Sequence, residues 1–291
     1  WPLSGAWFYG DTIFIVEPLW WAVSIPALAL SVNRRWLKVT LLVLLAAVLT
    51  VSVLVPFVPR GSLAALFAVS AAALAAARWG SPRFRIGFAI AGWLSVAACF
   101  VVGSVRAEQV LRSGVTSAFP ALQIHDIAKT PMPANPFCYS ALVVGEQGST
   151  YRVLVVVVAT VPSVVSAEQC PFDSDSAPTA RMTRLDRADR PELRWLKEYR
   201  AELPELQELW ASDCRFRALM RFVRVPYITA IPSGSPPVNA TSPVARVAGD
   251  LRYDRSPDMD FSDMPLPAAG IADCPRFLPG WREPRADLFT K

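Results

Sequence analysis

Two stretches of this chain, 39–55 and 86–105, run without a single charged side chain. Each reaches the roughly 17–20 apolar residues needed to cross the hydrocarbon core of a bilayer. A chain carrying both has to bury them completely or set them in lipid. The apolar content is concentrated before residue 106 and gives way to a polar remainder, which favours lipid for the first part and water for the second. Two more apolar segments extend the first part. One covers 18–32 and is lengthened upstream by 13–16; Pro26 kinks it, which neighbouring helices tolerate. The other, 63–77, is short and Ala-rich, as a helix packed against neighbours can be, with a buried soluble helix as its alternative. The expected fold class is an α-helical membrane domain of about four transmembrane helices followed by a small α+β soluble domain. Its parts are an aromatic and acidic interfacial motif over 1–17, the helices over 18–105, and a tail domain over 106–291.

The tail reads as mixed structure. Residues 106–114 continue the fourth helix into water, and Pro131, Pro133 and Pro136 then break the chain. Two strands are predicted over 137–144 and 151–161, joined by Glu146-Gln147-Gly148 in a hairpin. Residues 191–209 carry helical periodicity interrupted by Pro204, and 214–223 form a second helix. Residues 245–253 read as a closing strand, 170–180 and 233–243 as loops, and the end from Ser256 as irregular.

The connecting loops give an orientation. Arg34, Arg35, Lys38, Arg78, Arg83 and Arg85 follow the first and third segments; Arg60, Arg106 and Arg112 follow the second and fourth. The excess of positive charge puts the first set in the cytoplasm and the tail outside. Trp7, Phe8, Tyr9, Trp20, Trp21, Trp36 and Trp79 sit near segment ends, as interface anchors do. Cys138, Cys170, Cys214 and Cys274 lie in the tail, and Cys99 in the fourth segment. Four tail cysteines suit disulfides in an oxidising compartment, with three connectivities open and unpaired thiols as the alternative. The implied partner is the lipid bilayer. The net charge of +5 includes no dense basic block with interleaved aromatics, so nucleic acid is not expected. The chain opens at Trp1 and lacks a signal-peptide pattern; it reads as the C-terminal piece of something longer.

Asp11 and Glu17 are the residues that call for chemistry. They sit inside an aromatic, membrane-grade segment, where a carboxylate costs at least ~2.5–3.5 kcal/mol at the bilayer centre. Six residues of helix turn their side chains to different faces, and six residues of strand hold them roughly 20 Å apart. A bend at Gly10 or Pro18 is needed before both could serve one ion. The structural alternative is a helix cap at Asp11 and an interfacial Glu17 before a Pro at the first helical position.

The run Trp7-Phe8-Tyr9-Gly10-Asp11-Thr12-Ile13-Phe14-Ile15-Val16-Glu17-Pro18-Leu19-Trp20 closely resembles a segment of the bacterial inner-membrane, metal-dependent-hydrolase-like family that includes YdjM. Gly249-Asp250-Leu251-Arg252-Tyr253 looks like the closing strand of its longer members, and the order of motif, spans and tail agrees. The family pattern has Asp where this chain has Glu17. Its upstream His and Asp motifs, with a His-Thr-His-like cluster, have no counterpart here. The resemblance implies a multi-pass protein of the bacterial inner (plasma) membrane with a periplasmic tail. It also implies a membrane-bound metal-dependent hydrolase of unknown substrate, using a divalent metal such as zinc. Asp11 becomes the expected metal ligand or water-orienting base, and Glu17 the second expected catalytic residue. The alternative class is a non-catalytic membrane scaffold or sensor whose outer domain binds a partner. A transporter component is disfavoured by the few polar residues in the spans and the lack of an inverted repeat.

Other polar features read as structural. His125-Asp126 would point to opposite faces of a strand and is expected as an exposed linker pair. Asp250 and Arg252 share a face and suit an ion pair. Arg181, Arg184, Arg187 and Arg190, interleaved with Asp186 and Asp189, suit a solvated face. Asn239-Ala240-Thr241 matches a glycosylation sequon. No CxxC, P-loop, Rossmann glycine pattern, HExxH or GxSxG occurs.

Overall fold

The computed structural model describes residues 9–172, 182–230, 244–254, 261–267 and 283–289. Trp7, Phe8, Arg181, Asn239, Cys274 and nearly all of the two predicted loops fall outside these.

Four helices come first: α1 Pro18–Ser31, α2 Arg35–Leu54, α3 Arg60–Trp79 and α4 Pro82–Ala118. Three of them, α2, α3 and α4, are long and apolar enough to cross a membrane. The first, α1, has 14 residues and so measures about 21 Å, short of the ~30 Å hydrocarbon core. It is nevertheless the centre of the bundle, packing against α2, α3 and α4. Ala22, Val23, Ile25 and Ala29 are buried there, and Trp20 stacks on Trp93 of α4 at 4.7 Å. By contrast α2 buries only Leu45 and Ser52 and exposes Val39, Leu42, Val43, Val51 and Val53. Such an apolar exterior is what a lipid-facing helix presents.

The fourth helix joins the two halves of the molecule. Its 37 residues extend about 55 Å, more than a bilayer needs. The helix carries through the 105/106 boundary without a break, and its last turns pack on a sheet. That sheet has five antiparallel strands: β1 Gln123–Met132, β2 Asn135–Gln147, β3 Thr150–Ala159, β4 Thr183–Arg184 and β5 Leu193–Glu202, in spatial order β1-β2-β3-β5-β4. The central β3 reads Tyr-Arg-Val-Leu-Val-Val-Val-Val-Ala from Tyr151 and is buried on both faces. One face holds Ala107, Leu111 and Val115 of α4 against Val143, Leu154, Val156 and Leu193. The other holds Tyr151, Val153 and Tyr199 against α5 Leu203–Ser212, α6 Cys214–Met220 and a second sheet. This second sheet runs β6 Pro226–Ala230, β7 Val244–Asp250, β8 Met264–Pro267, with β7 in the middle, and a short α7 Ala286–Phe289 closes the chain.

The predicted β2–β3 hairpin is present, and its turn uses Gly148 at φ +62°, a conformation that favours glycine. Three tail expectations need correction. The proline-broken stretch contains β1, a full strand. It lies at the sheet edge, where Pro131 opposite Tyr139 costs no central ladder bond. Residues 193–202, part of the 191–209 stretch expected as helix from its periodicity, form β5. Pairing with the valine strand β3 overrides weak helical propensity, and Pro204 opens α5 rather than interrupting a helix. The end from Ser256 is not wholly irregular, since β8 and α7 lie within it. Cys138 and Cys170 form a disulfide, Cys214 is also disulfide-bonded, and Cys99 is free and exposed.

Helix and sheet meet closely at Gly103 and Gly114 of α4. A Cβ on Gly103 would lie 2.4 Å from the Pro136 carbonyl oxygen, whereas one on Gly87 meets nothing within 4 Å. Gly103→Val is therefore expected to lower the melting temperature of the purified protein by several degrees. Gly87→Val is expected to leave it within about one degree, as an open lipid-facing site.

Candidate functional site

Where the helical base meets the tail, the lead-in to α1 folds onto the sheet domain through Asp11 and Glu17. Glu17 is the N-cap of α1: one carboxylate oxygen accepts from the Leu19 N–H at 3.1 Å. The other accepts from the Ala134 N–H at 3.3 Å, 117 residues further on. Ala134 sits in the β1–β2 turn at φ 53°, which turns its N–H toward the helix start. Glu17 is only 1% exposed. Burial pushes its carboxyl up to about 7, against the pull of these two backbone donors.

Asp11 reaches a different partner. Its carboxylate accepts from Nη1 of Arg224 at 2.5 Å. Arg224 lies in the link between α6 and β6 and is 4% exposed. Its other donors close the site from the tail side: Nε and Nη2 grip Asp126 of β1 at 2.7 and 3.1 Å, and Nη2 also donates to the Ile127 carbonyl. Its backbone N–H donates to Asp250 at 2.9 Å, and the ring of Tyr9 stacks under the guanidinium, 3.9 Å from its centroid. Burial opposes the charge on Arg224, but Asp126 and Asp11 overcome that and hold it protonated well above its ordinary value. Burial likewise works against an ionised Asp126, yet Arg224 holds its carboxyl below the usual range.

From Asp126 the network continues. Arg285 Nη1 lies 3.2 Å from Asp126, and Arg285 Nε lies 3.4 Å from Asp287. His125 stands between Asp287 and Glu146, 3.4 Å from each. Adjacent residues on a regular strand face opposite ways, which is why this His-Asp pair was expected apart and exposed. A bulge between Ile124 and Asp126 breaks that alternation. Both side chains then turn toward the 285–287 segment, and the His125 side chain is 8% exposed. Asp250 and Arg252 make the expected ion pair, at 2.7 Å, but Arg252 lies in the turn after β7 and not on the strand. Of the arginine cluster, Arg187 stacks on Phe119 and Arg190 reaches Ser117.

Asp11 and Glu17 therefore occupy one junction and do not share a ligand. Asp11 is committed to a guanidinium and Glu17 to two backbone amides. Among the described residues, no group of three or more His, Cys, Asp or Glu side chains could hold a metal ion, whereas zinc sites use three or four such ligands. The residues at this junction do not fit the divalent metal that the resemblance implies. Arg224, Asp126, Arg285 and Asp287 had no local signal in the sequence; the nearest was Asp126, set beside the single histidine. No protein-family model, curated protein sequence or solved structure matches the chain.

Two consequences can be measured. Asp126→Asn leaves Arg224 and Arg285 short of a buried counter-charge and is expected to destabilise the tail by about 3–5 kcal/mol. Arg112→Gln, in an exposed helical pair with Glu108, is expected to cost less than about 1 kcal/mol in the same denaturant titration. The second concerns pH. Asp287 raises His125 above its ordinary 6.5, against desolvation and with help from Glu146. A histidine raised on folding stabilises fully below its unfolded value and loses that contribution as pH rises through the folded one. Amide exchange over 286–289 is expected to accelerate across that window beyond the intrinsic rate, and His125→Asn to abolish the pH-dependent excess.

Proposed function

We propose that the chain is a membrane-anchored, non-catalytic scaffold or sensor, whose sheet domain is clamped to a helical base and presented outside the cytoplasm to a protein partner. The observation that carries this reading is the commitment of both lead-in acids to structure, one to Arg224 and one to backbone amides. Asp11 Oδ2 and both oxygens of Glu17 are bonded to donors of the helical base and the tail, which is a structural use of the two acids. Exposed Phe222, Tyr253 and Phe261 flank the segments that carry Arg224 and Asp250, and aromatic side chains with arginine are what protein interfaces favour.

Two contacts support a four-crossing reading of the helices. Glu17 at the start of α1 and Phe100 on α4 bond to the same β-hairpin, through Ala134 and Tyr139. The hairpin meets the start of α1 and the later half of α4, so both helix ends point to the same side of the bilayer, which favours an even number of crossings between them. With α2, α3 and α4 counting three, α1 makes the fourth, its shortfall in length met by local thinning of the bilayer and by the flanking residues. The basic residues at 34–38 and 78–85 put the opposite ends of the helices in the cytoplasm, and a disulfide in the tail suits an oxidising compartment.

Elemental analysis of the purified full chain tests the function. Less than stoichiometric divalent metal is expected, with Asp11→Asn altering stability and leaving metal content unchanged. Stoichiometric zinc that Asp11→Asn removes from a folded protein overturns the scaffold reading in favour of the hydrolase. A reporter fused after Ala118 is expected to be active only in its exported form; cytoplasmic activity reverses the topology.

A further inference from the structure

One stripe of α4 is lined by a groove. Cys99, Val102, Arg106, Val110, Ser113 and Ser117 recur every three or four residues along it, the spacing of a single helix face. Opposite stand the start of β2 at Pro136 and Phe137, the exit of β3 at Thr160, and the turn before β5 at Arg190. Two clefts, of about 320 and 470 Å³, lie end to end there and share Arg106 and Thr160. They form one groove whose chemistry changes at Arg106.

Below Arg106 the walls are apolar, made by Ala98, Cys99, Val102, Gly103 and Phe137. Above it they carry Arg190 and the hydroxyls of Ser113, Ser117 and Thr160, with Glu192 as the one carboxylate on that wall. Arg106 is the first charged residue after the uncharged run 86–105, so it marks the level at which α4 leaves the hydrocarbon. Among the described residues Arg106 has no ion pair, and the side chain of Arg190 meets only the Ser117 hydroxyl, at 3.5 Å. Two arginines without carboxylate partners thus face a groove at headgroup depth, and an apolar channel leads from them toward the bilayer. A phosphate suits the first feature, because guanidinium groups bind its oxygens in charge-assisted pairs. A hydrocarbon chain suits the second. A free anion would leave the apolar half unfilled.

We propose that this groove holds one anionic phospholipid, its phosphate between Arg106 and Arg190 and one acyl chain along the α4 face beside Cys99 and Val102. The inference needs α4 to cross the bilayer but does not depend on which side the tail faces, nor on whether the domain is a scaffold. A reversed reporter result or a bound metal leaves it intact.

Native mass spectrometry of the full chain, released from detergent micelles and titrated with phosphatidylglycerol or phosphatidylcholine, tests it. One phosphatidylglycerol per chain is expected, with phosphatidylcholine held about tenfold more weakly, because its phosphate is the same but its quaternary ammonium brings a like charge to the two guanidinium groups. The double variant Arg106→Gln with Arg190→Gln is expected to lose that preference; both residues are exposed, so its melting temperature should stay close to the parent's. Arg112→Gln, outside the groove, should change nothing, and Cys99→Trp, which fills the apolar half, should weaken retention of both lipids. Equal retention of the two lipids, or indifference to the double variant, overturns the proposal. Displacement of phosphatidylglycerol by inorganic phosphate at comparable concentration also overturns it, since the site would then recognise an anion without its chain.

Discussion

A buried guanidinium ties the lead-in to the helices to both sheets of the tail. Arg224 takes Asp11 from the lead-in to the helices and Asp126 from the first strand, while its own backbone is held by Asp250 at the end of β7. Taking three charges out of water is expensive, and only mutual pairing with satisfied hydrogen bonds offsets it. That condition makes the arrangement specific. If any partner is displaced, a buried charge is left without compensation. The helical base, the five-stranded sheet and the second sheet are thereby brought into one register.

Glu17 supplies the second tie and works by different physics. It caps α1 and reaches the β1–β2 turn, so the helix start and the hairpin fix one another. Tyr139, donating to the Phe100 carbonyl from the same hairpin, and Lys129, bonded to Ser104 and Glu108 at 3.1 and 2.8 Å, add further links between α4 and the sheet. Together they explain why α4 runs unbroken from the apolar bundle into the core of the tail. A domain bound at so many points moves with its base, which is what a scaffold or a transmembrane sensor requires.

Much of the fold could be read from the chain because its signals are local. Uncharged runs marked α2 and α4, and Gly148 between valine-rich strands marked a hairpin. Where contacts are long-range, the reading failed. The residues of β5 carry helix-forming side chains, and only β3, about forty positions earlier, makes them a strand. His125 and Asp126 looked like a linker pair because a bulge cannot be seen in their identities. The acids at 11 and 17 were found as costly residues in need of a reason. Asp11 has an arginine partner 213 positions away, which no local pattern could supply.

The junction of helical base and tail depends on direct coupling between Asp11 and Arg224. A double-mutant cycle with Asp11→Asn and Arg224→Met, followed by chemical unfolding of the detergent-solubilised protein, measures it. Direct pairing predicts an interaction energy of about 1–3 kcal/mol, the range for residues sharing one buried network. Effects that add to within about 0.5 kcal/mol, as for distant and independent sites, would contradict the clamp.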